Sequence, residues 1–178
     1  MPVPRPQRPS SLLVVLLLGA CTGIPEGLEP VRGFDLDRYL GTWYEIARLD
    51  HRFERGLSRV TASYSRRDDG GVNVVNRGYD ATEGQWDEAT GKAYFTGDAD
   101  VGRLKVSFFG PFYGGYNVIV LDEGYRFAMV TGPTRDYLWI LARTPYLEPT
   151  LLKALVERAR ALGFDVDELI FVAQTPID

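Results

Sequence analysis

From Gly41 to Arg143 the chain consists of short β-favouring runs, each stopped by a turn signal, and this pattern constrains its fold more than any other feature. The runs predict strands at 42–49, 59–66, 71–79, 92–97, 103–109, 115–121, 125–131 and 137–143. Asp68-Asp69-Gly70-Gly71 and Asp122-Glu123-Gly124 are hairpin signals, and Gly110-Pro111, Gly114-Gly115 and Gly132-Pro133 break further runs. Glycine supplies 19 of the 178 residues, in keeping with many tight turns. Eight strands at nearly even spacing predict an antiparallel meander, and a meander of that size closes into a barrel or folds into a sandwich.

The faces of the strands favour the barrel. A sheet with one wet face alternates apolar and polar residues. Tyr116-Asn117-Val118-Ile119-Val120-Leu121 and Tyr137-Leu138-Trp139-Ile140-Leu141-Ala142 are instead apolar on both faces. Such strands cover an interior on one side and a second apolar layer on the other. The second layer follows in sequence: Leu151, Leu152, Leu155, Val156, Ala159 and Leu162 recur at helical spacing, with Pro149 before them and Gly163 after. Leu169–Ala173 then reads as a short strand. The expected fold is all-β: an eight-stranded antiparallel up-and-down β-barrel, one C-terminal α-helix packed outside, and a final short strand. An eight-stranded barrel has room for side chains or for one small ligand.

Composition narrows the chemistry. One cysteine excludes an intrachain disulfide and a thiolate zinc cluster, and one histidine excludes any site needing two imidazoles, so no metal and no cofactor is expected. A formal charge of −4 argues against nucleic acid, whose binders cluster Lys and Arg. Residues 1–20 have the anatomy of a secretory signal: Arg5 and Arg8, the apolar run Leu12–Leu18, then Gly19-Ala20. Leu18-Gly19-Ala20-Cys21 resembles the lipobox of bacterial lipoproteins, which implies that Cys21 is acylated and becomes the first residue of the mature chain. In that family Thr22, rather than Asp, at the next position is compatible with the outer membrane, and a lipid-anchored, periplasm-facing location there is expected. Several acyl chains anchor stably where one does not. Removal of Arg5 and Arg8 with the signal leaves 158 residues with a formal charge of −6. Residues 21–33 read as the lipidated cysteine and a flexible tether, and 34–178 as the domain.

Gly41-Thr42-Trp43-Tyr44 resembles the G-x-W signature that opens the first strand of lipocalins, and here it stands at the head of the meander. The strings YLGTWYEIARLDHRFERG, VSFFGPFYGGYNV and RDYLWILARTP are similar to bacterial outer-membrane lipocalins and to apolipoprotein D, over residues 34–174. In an up-and-down barrel the start of the first strand lies beside the end of the eighth. Trp43 and Arg143 are thus expected to stack at the closed end, with Gly41 beside them, as a structural barrel closure.

The opposite end is then the mouth, carrying the loops 50–57, 80–91, 110–115 and 132–136. These bring His51, Arg52, Arg55, Phe112, Tyr113 and Arg135 to one rim, a mixture suited to an apolar tail with an anionic head. Inside, the resemblance implies Trp139 as a pocket residue. Strand parity adds Val60, Ala62, Tyr64, Leu104, Val106 and Phe108, or their neighbours should each register slip by one. The expected ligand is a fatty acid or lysophospholipid, held for storage, scavenging or transport. The rival readings are a structural or partner-binding envelope protein with an occluded barrel, and a lipid-processing enzyme. Phe112 and Tyr113 could equally form the self-association patch of a homodimer. No nucleophile elbow accompanies His51 and Asp50, and the prostaglandin isomerases of the family use a pocket cysteine that this chain lacks, so no catalytic residue is expected.

Overall fold

The computed structural model describes residues 22–175. Eight strands form the barrel: β1 (Gly41–Arg48), β2 (Leu57–Arg66), β3 (Val72–Asp80), β4 (Gln85–Phe95), β5 (Arg103–Ser107), β6 (Gly114–Leu121), β7 (Phe127–Thr131) and β8 (Leu138–Ala142). Each pairs antiparallel with the next, and β1 closes the barrel by pairing with both β2 and β8. A single turn of helix, α1 (Leu36–Tyr39), precedes β1; α2 (Pro149–Ala161) and β9 (Ile170–Phe171) follow β8. The edge of β1 is shared, with Gly41–Tyr44 facing β2 and Ala47 and Arg48 facing β9. β9 therefore covers the stretch of β1 that β2 leaves as it diverges towards the mouth. Among the described residues no helix is long and apolar enough to cross a membrane.

The doubly apolar strands have the two partners their sequence requires. Val118, Val130 and Leu141 face an inner core with Trp43, Tyr39 and Phe34. Met129, Leu138 and Ile140 face an outer core with Leu155 and Ala159 of α2 and Phe164. The helix starts where the sequence predicts, because Pro149 sits in its first turn and Glu148 accepts a capping bond from Leu151 N at 3.0 Å.

Two segments differ from expectation. Residues 80–91 form no long loop: Ala81–Gly84 make a tight turn and β4 already pairs from Gln85, opposite Asp80. Asp80 Oδ1 accepts from Thr82 N and Glu83 N, and Gly84 takes φ of +67°, which a glycine adopts without strain. Gln85 to Thr90 is exposed on both faces, so the strand has no apolar alternation to announce it. Residues 22–33 lie against the barrel. Val31 N donates to Val118 O, Gly102 N donates to Val31 O, and Leu28 is buried. This is irregular backbone held by hydrogen bonds to β6 and the β4–β5 loop, so it shows no period in sequence.

Candidate functional site

The barrel encloses a cavity of about 670 Å³, within the ~300–1,000 Å³ usual for small-molecule sites. All seven residues predicted for the interior line it: Val60, Ala62, Tyr64, Leu104, Val106, Phe108 and Trp139. The parity holds on β2 because an irregularity at Arg59, with φ of +50°, sets the register between Ser58 and Thr61. Tyr39, Tyr64 and Tyr116 contribute a polar feature within the inner core. Tyr116 Oη lies 2.7 Å from Tyr39 Oη and 2.9 Å from Tyr64 Oη, and burial raises all three phenols. They remain neutral and mutually hydrogen-bonded.

At the other side of that core Trp43 is fully buried and its Nε1 donates to Tyr39 O at 2.8 Å. The Arg143 guanidinium lies 4.0 Å over the Trp43 ring and donates to Arg38 O (2.7 Å), Thr42 O (3.0 Å) and Tyr125 O (3.3 Å). Gly41 has φ of +92°, and a methyl there would lie 3.4 Å from Arg143 Nη1. The first and eighth strands thus meet around one cation, away from the cavity mouth.

The predicted rim residues divide. Arg52, Phe112 and Tyr113 line the cavity. Arg55 and Arg135 do not. Arg55 turns to Asp50, donating from Nε at 3.0 Å, and holds that carboxyl below its ordinary range. Arg135 donates to Leu162 O at 2.9 Å and Glu26 O at 2.8 Å, where it ties the end of α2 to the N-terminal segment. A cation at a helix C-terminus is favourable there. His51 is buried, with its ring stacked on Phe53 at 4.0 Å. Its Nε2 lies 3.1 Å from Glu54 Oε2 without hydrogen-bond alignment. Burial, then Arg48, lower its pKa to about 4, so the contact is not an ion pair at neutral pH.

Several lining residues have no counterpart among those read from sequence. Phe53 and Phe109 join Phe112 as exposed rings at the mouth. Arg77, Asp87 and Glu88 enter from the β3–β4 hairpin, which reaches the mouth because β4 starts seven residues before the predicted strand. Glu45 and Glu54 line the wall although both are buried. A charge inside the apolar alternation of β1 was the sequence signal for Glu45. Cys21 lies outside the described residues. Among the described residues no group of three His, Cys, Asp or Glu side chains could hold a metal ion.

A barrel of eight strands with an outer helix and an open apolar cavity can be compared with known proteins. The family model described as a lipocalin-like domain matches residues 34–174. The chain is a lipocalin. Outer membrane lipoprotein Blc of Escherichia coli K12 is 60% identical to this lipocalin over 150 residues, 84% of this chain and 85% of that one. Mouse apolipoprotein D is a more distant relative, 28% identical over 85% of this chain and 81% of its own length. Among solved structures, insecticyanin from the tobacco hornworm superposes with a TM-score of 0.69 at 21% identity, covering 86% of this chain and 87% of that one. The resemblance carried by Gly41, Trp43 and Arg143 is therefore one of family, and the predicted architecture is the observed one.

Proposed function

We propose that this lipocalin is an outer-membrane lipoprotein, tethered through acylated Cys21, that holds a fatty acid or lysophospholipid in its barrel. The observation that carries the reading is an open cavity of about 670 Å³ walled by Val60, Leu104, Val106, Phe108 and Trp139, with Arg52 at its mouth. Burying ten methylenes there at ~0.8 kcal/mol each gives about 8 kcal/mol, near micromolar affinity before ordering costs. Arg52 makes no ion pair among the described residues and is free to meet an anionic head. The names of the bacterial relatives support the membrane assignment.

The path of the N-terminal segment supports a particular orientation. Gly23 O accepts from Asn117 Nδ2 at 3.0 Å, and a methyl on Gly115 would lie 2.6 Å from that oxygen. Gly115 belongs to the mouth end of β6 and lines the cavity. Cys21 is two residues from Gly23, a reach of at most about 7 Å. An acyl anchor on Cys21 then keeps the mouth at the bilayer surface, where Phe53, Phe109 and Phe112 are exposed to meet it. Lipid enters from the membrane without crossing water. A second reading, a homodimer through Phe112 and Tyr113, draws on the exposed Phe112 ring beside a half-buried Tyr113.

Mass spectrometry of lipids extracted from the purified chain tests the function. Close to one single-chain lipid per protein is expected. A lipid-free protein that takes up none on incubation would refute it, and sustained hydrolysis of the added lipid would point to an enzyme.

A further inference from the structure

Resting on the single-chain lipid reading, a polar cluster in the cavity wall bears on which head group the site prefers. Glu45 and Glu54 line the cavity and are 3% and 6% exposed. Arg48, at 1%, donates from Nη1 to Glu45 Oε1 at 2.6 Å and from Nη2 to Glu54 O at 2.7 Å. Trp139 Nε1 donates to Glu54 Oε2 at 3.1 Å, and the charge of Glu54 bears on the titration of Glu45. His51 packs behind them with Nδ1 and Nε2 both buried and without a hydrogen-bond partner, as is Nε of Arg48. From β2, Tyr64 feels both carboxylates; beyond His51, Asp50 and Arg55 pair with each other at the surface.

The charges of this cluster do not cancel. Two carboxylates against one guanidinium leave one negative charge in an apolar wall, and a buried carboxyl in that position takes up a proton. Burial raises both carboxyls, Glu45 well above the usual carboxylate range, so the pair holds a proton between them. His51 stays neutral and adds no positive charge. Anchoring the β1–β2 loop needs only Arg48, Glu45 and the Glu54 and Leu57 carbonyls. The Glu54 carboxyl, which accepts from Trp139 Nε1 in the cavity wall, takes no part in that anchoring.

We propose that Glu45 and Glu54 form a subsite for the ammonium group of a single-chain amphiphile, with the chain lying along Val60, Leu104, Val106 and Phe108. The ammonium takes the place of the shared proton. Binding of R–NH₃⁺ releases one proton to solvent and leaves two carboxylates facing two cations, the ligand and Arg48. A carboxylate head group is repelled from this position and is confined to Arg52 at the rim.

Titration calorimetry of the full chain with dodecylamine, dodecanol and dodecanoate, below their aggregation limits and in two buffers of different protonation enthalpy, tests the assignment. Dodecylamine is expected to bind about tenfold tighter than dodecanol, with about one proton released. Glu54→Gln and Glu45→Gln, checked for unchanged melting, should each bring the amine to the level of the alcohol and leave dodecanol within about twofold. Equal affinity for amine and alcohol in the wild type, absence of proton release, or an amine preference surviving both substitutions would overturn the subsite while leaving the lipid reading intact. Binding of none of the three would overturn both. Should one variant fail to fold, the wild-type proton count still decides.

Discussion

Replacing Arg143 by alanine removes a cation that joins three segments at the closed end of the barrel. Its guanidinium donates to carbonyls of Arg38, Thr42 and Tyr125 and lies 4.0 Å over Trp43. The two shorter bonds are solvent-accessible, so about 0.5–1 kcal/mol each is appropriate, and the bond to Tyr125 at 3.3 Å contributes less. Stacking on a buried indole adds about 1 kcal/mol. The Arg38 and Thr42 carbonyls are left with water as their replacement partner, so little further penalty arises. The total is about 2–4 kcal/mol. A domain of this size loses roughly 2–4 °C per kcal/mol, and the melting temperature should fall by about 5–15 °C. Arg143→Lys keeps the charge without the planar fork and should recover less than half of the loss. Differential scanning calorimetry measures both. A melting temperature for Arg143→Ala within about 1 °C of wild type would refute the view that this cation holds β1 to β8.

Acidification should weaken the fold through His51. Its folded pKa, about 4 against 6.5 when free, means the unfolded chain takes up the proton first. Stability is then lost as pH falls from about 6.5 towards 4, by up to about 3 kcal/mol. Glu45 and Glu54, both raised by burial, act in the opposite sense. The readout is therefore the difference between wild type and His51→Gln in urea midpoints at pH 7 and pH 4.5: the wild type should lose more, and parallel losses would exclude His51 as the cause. Phe109→Ser with Phe112→Ser should lower partitioning of the anchor-free chain onto phosphatidylethanolamine–phosphatidylglycerol vesicles by at least about tenfold, since each ring contributes ~1 kcal/mol or more on insertion. Unchanged partitioning together with loss of a dimer in sedimentation would assign the rings to a second copy instead.

The barrel was legible in the sequence because its signal is local. Strand alternation, glycine breaks and the doubly apolar Tyr116–Leu121 run each reflect burial within a few residues. Of the interior set, Trp139 comes from the family resemblance, and strand parity offers the other six with their neighbours as the open alternative. What was hidden depends on distant partners. Arg135 looks like a rim cation until Leu162 O and Glu26 O are brought beside it. Gln85–Gly91 carries no apolar face, and pairs only because β3 offers a ladder and the Asp80 turn fixes the register. The Glu45–Arg48–Glu54 cluster lies between these cases. Glu45 and Arg48 stand as charges within β1, yet only the structure shows that they are buried, and Glu54 joins them through the return of the β1–β2 loop.

The claim that the cavity holds a lipid is tested most directly by titrating a brominated single-chain fatty acid while following tryptophan emission. Trp139 lines the cavity, Trp43 is fully buried outside it, and Trp86 lies on the exposed β3–β4 hairpin. Saturable quenching at one ligand per chain, near micromolar and abolished by Trp139→Phe, is the predicted result. Quenching that never saturates, or that persists unchanged in Trp139→Phe, would contradict it.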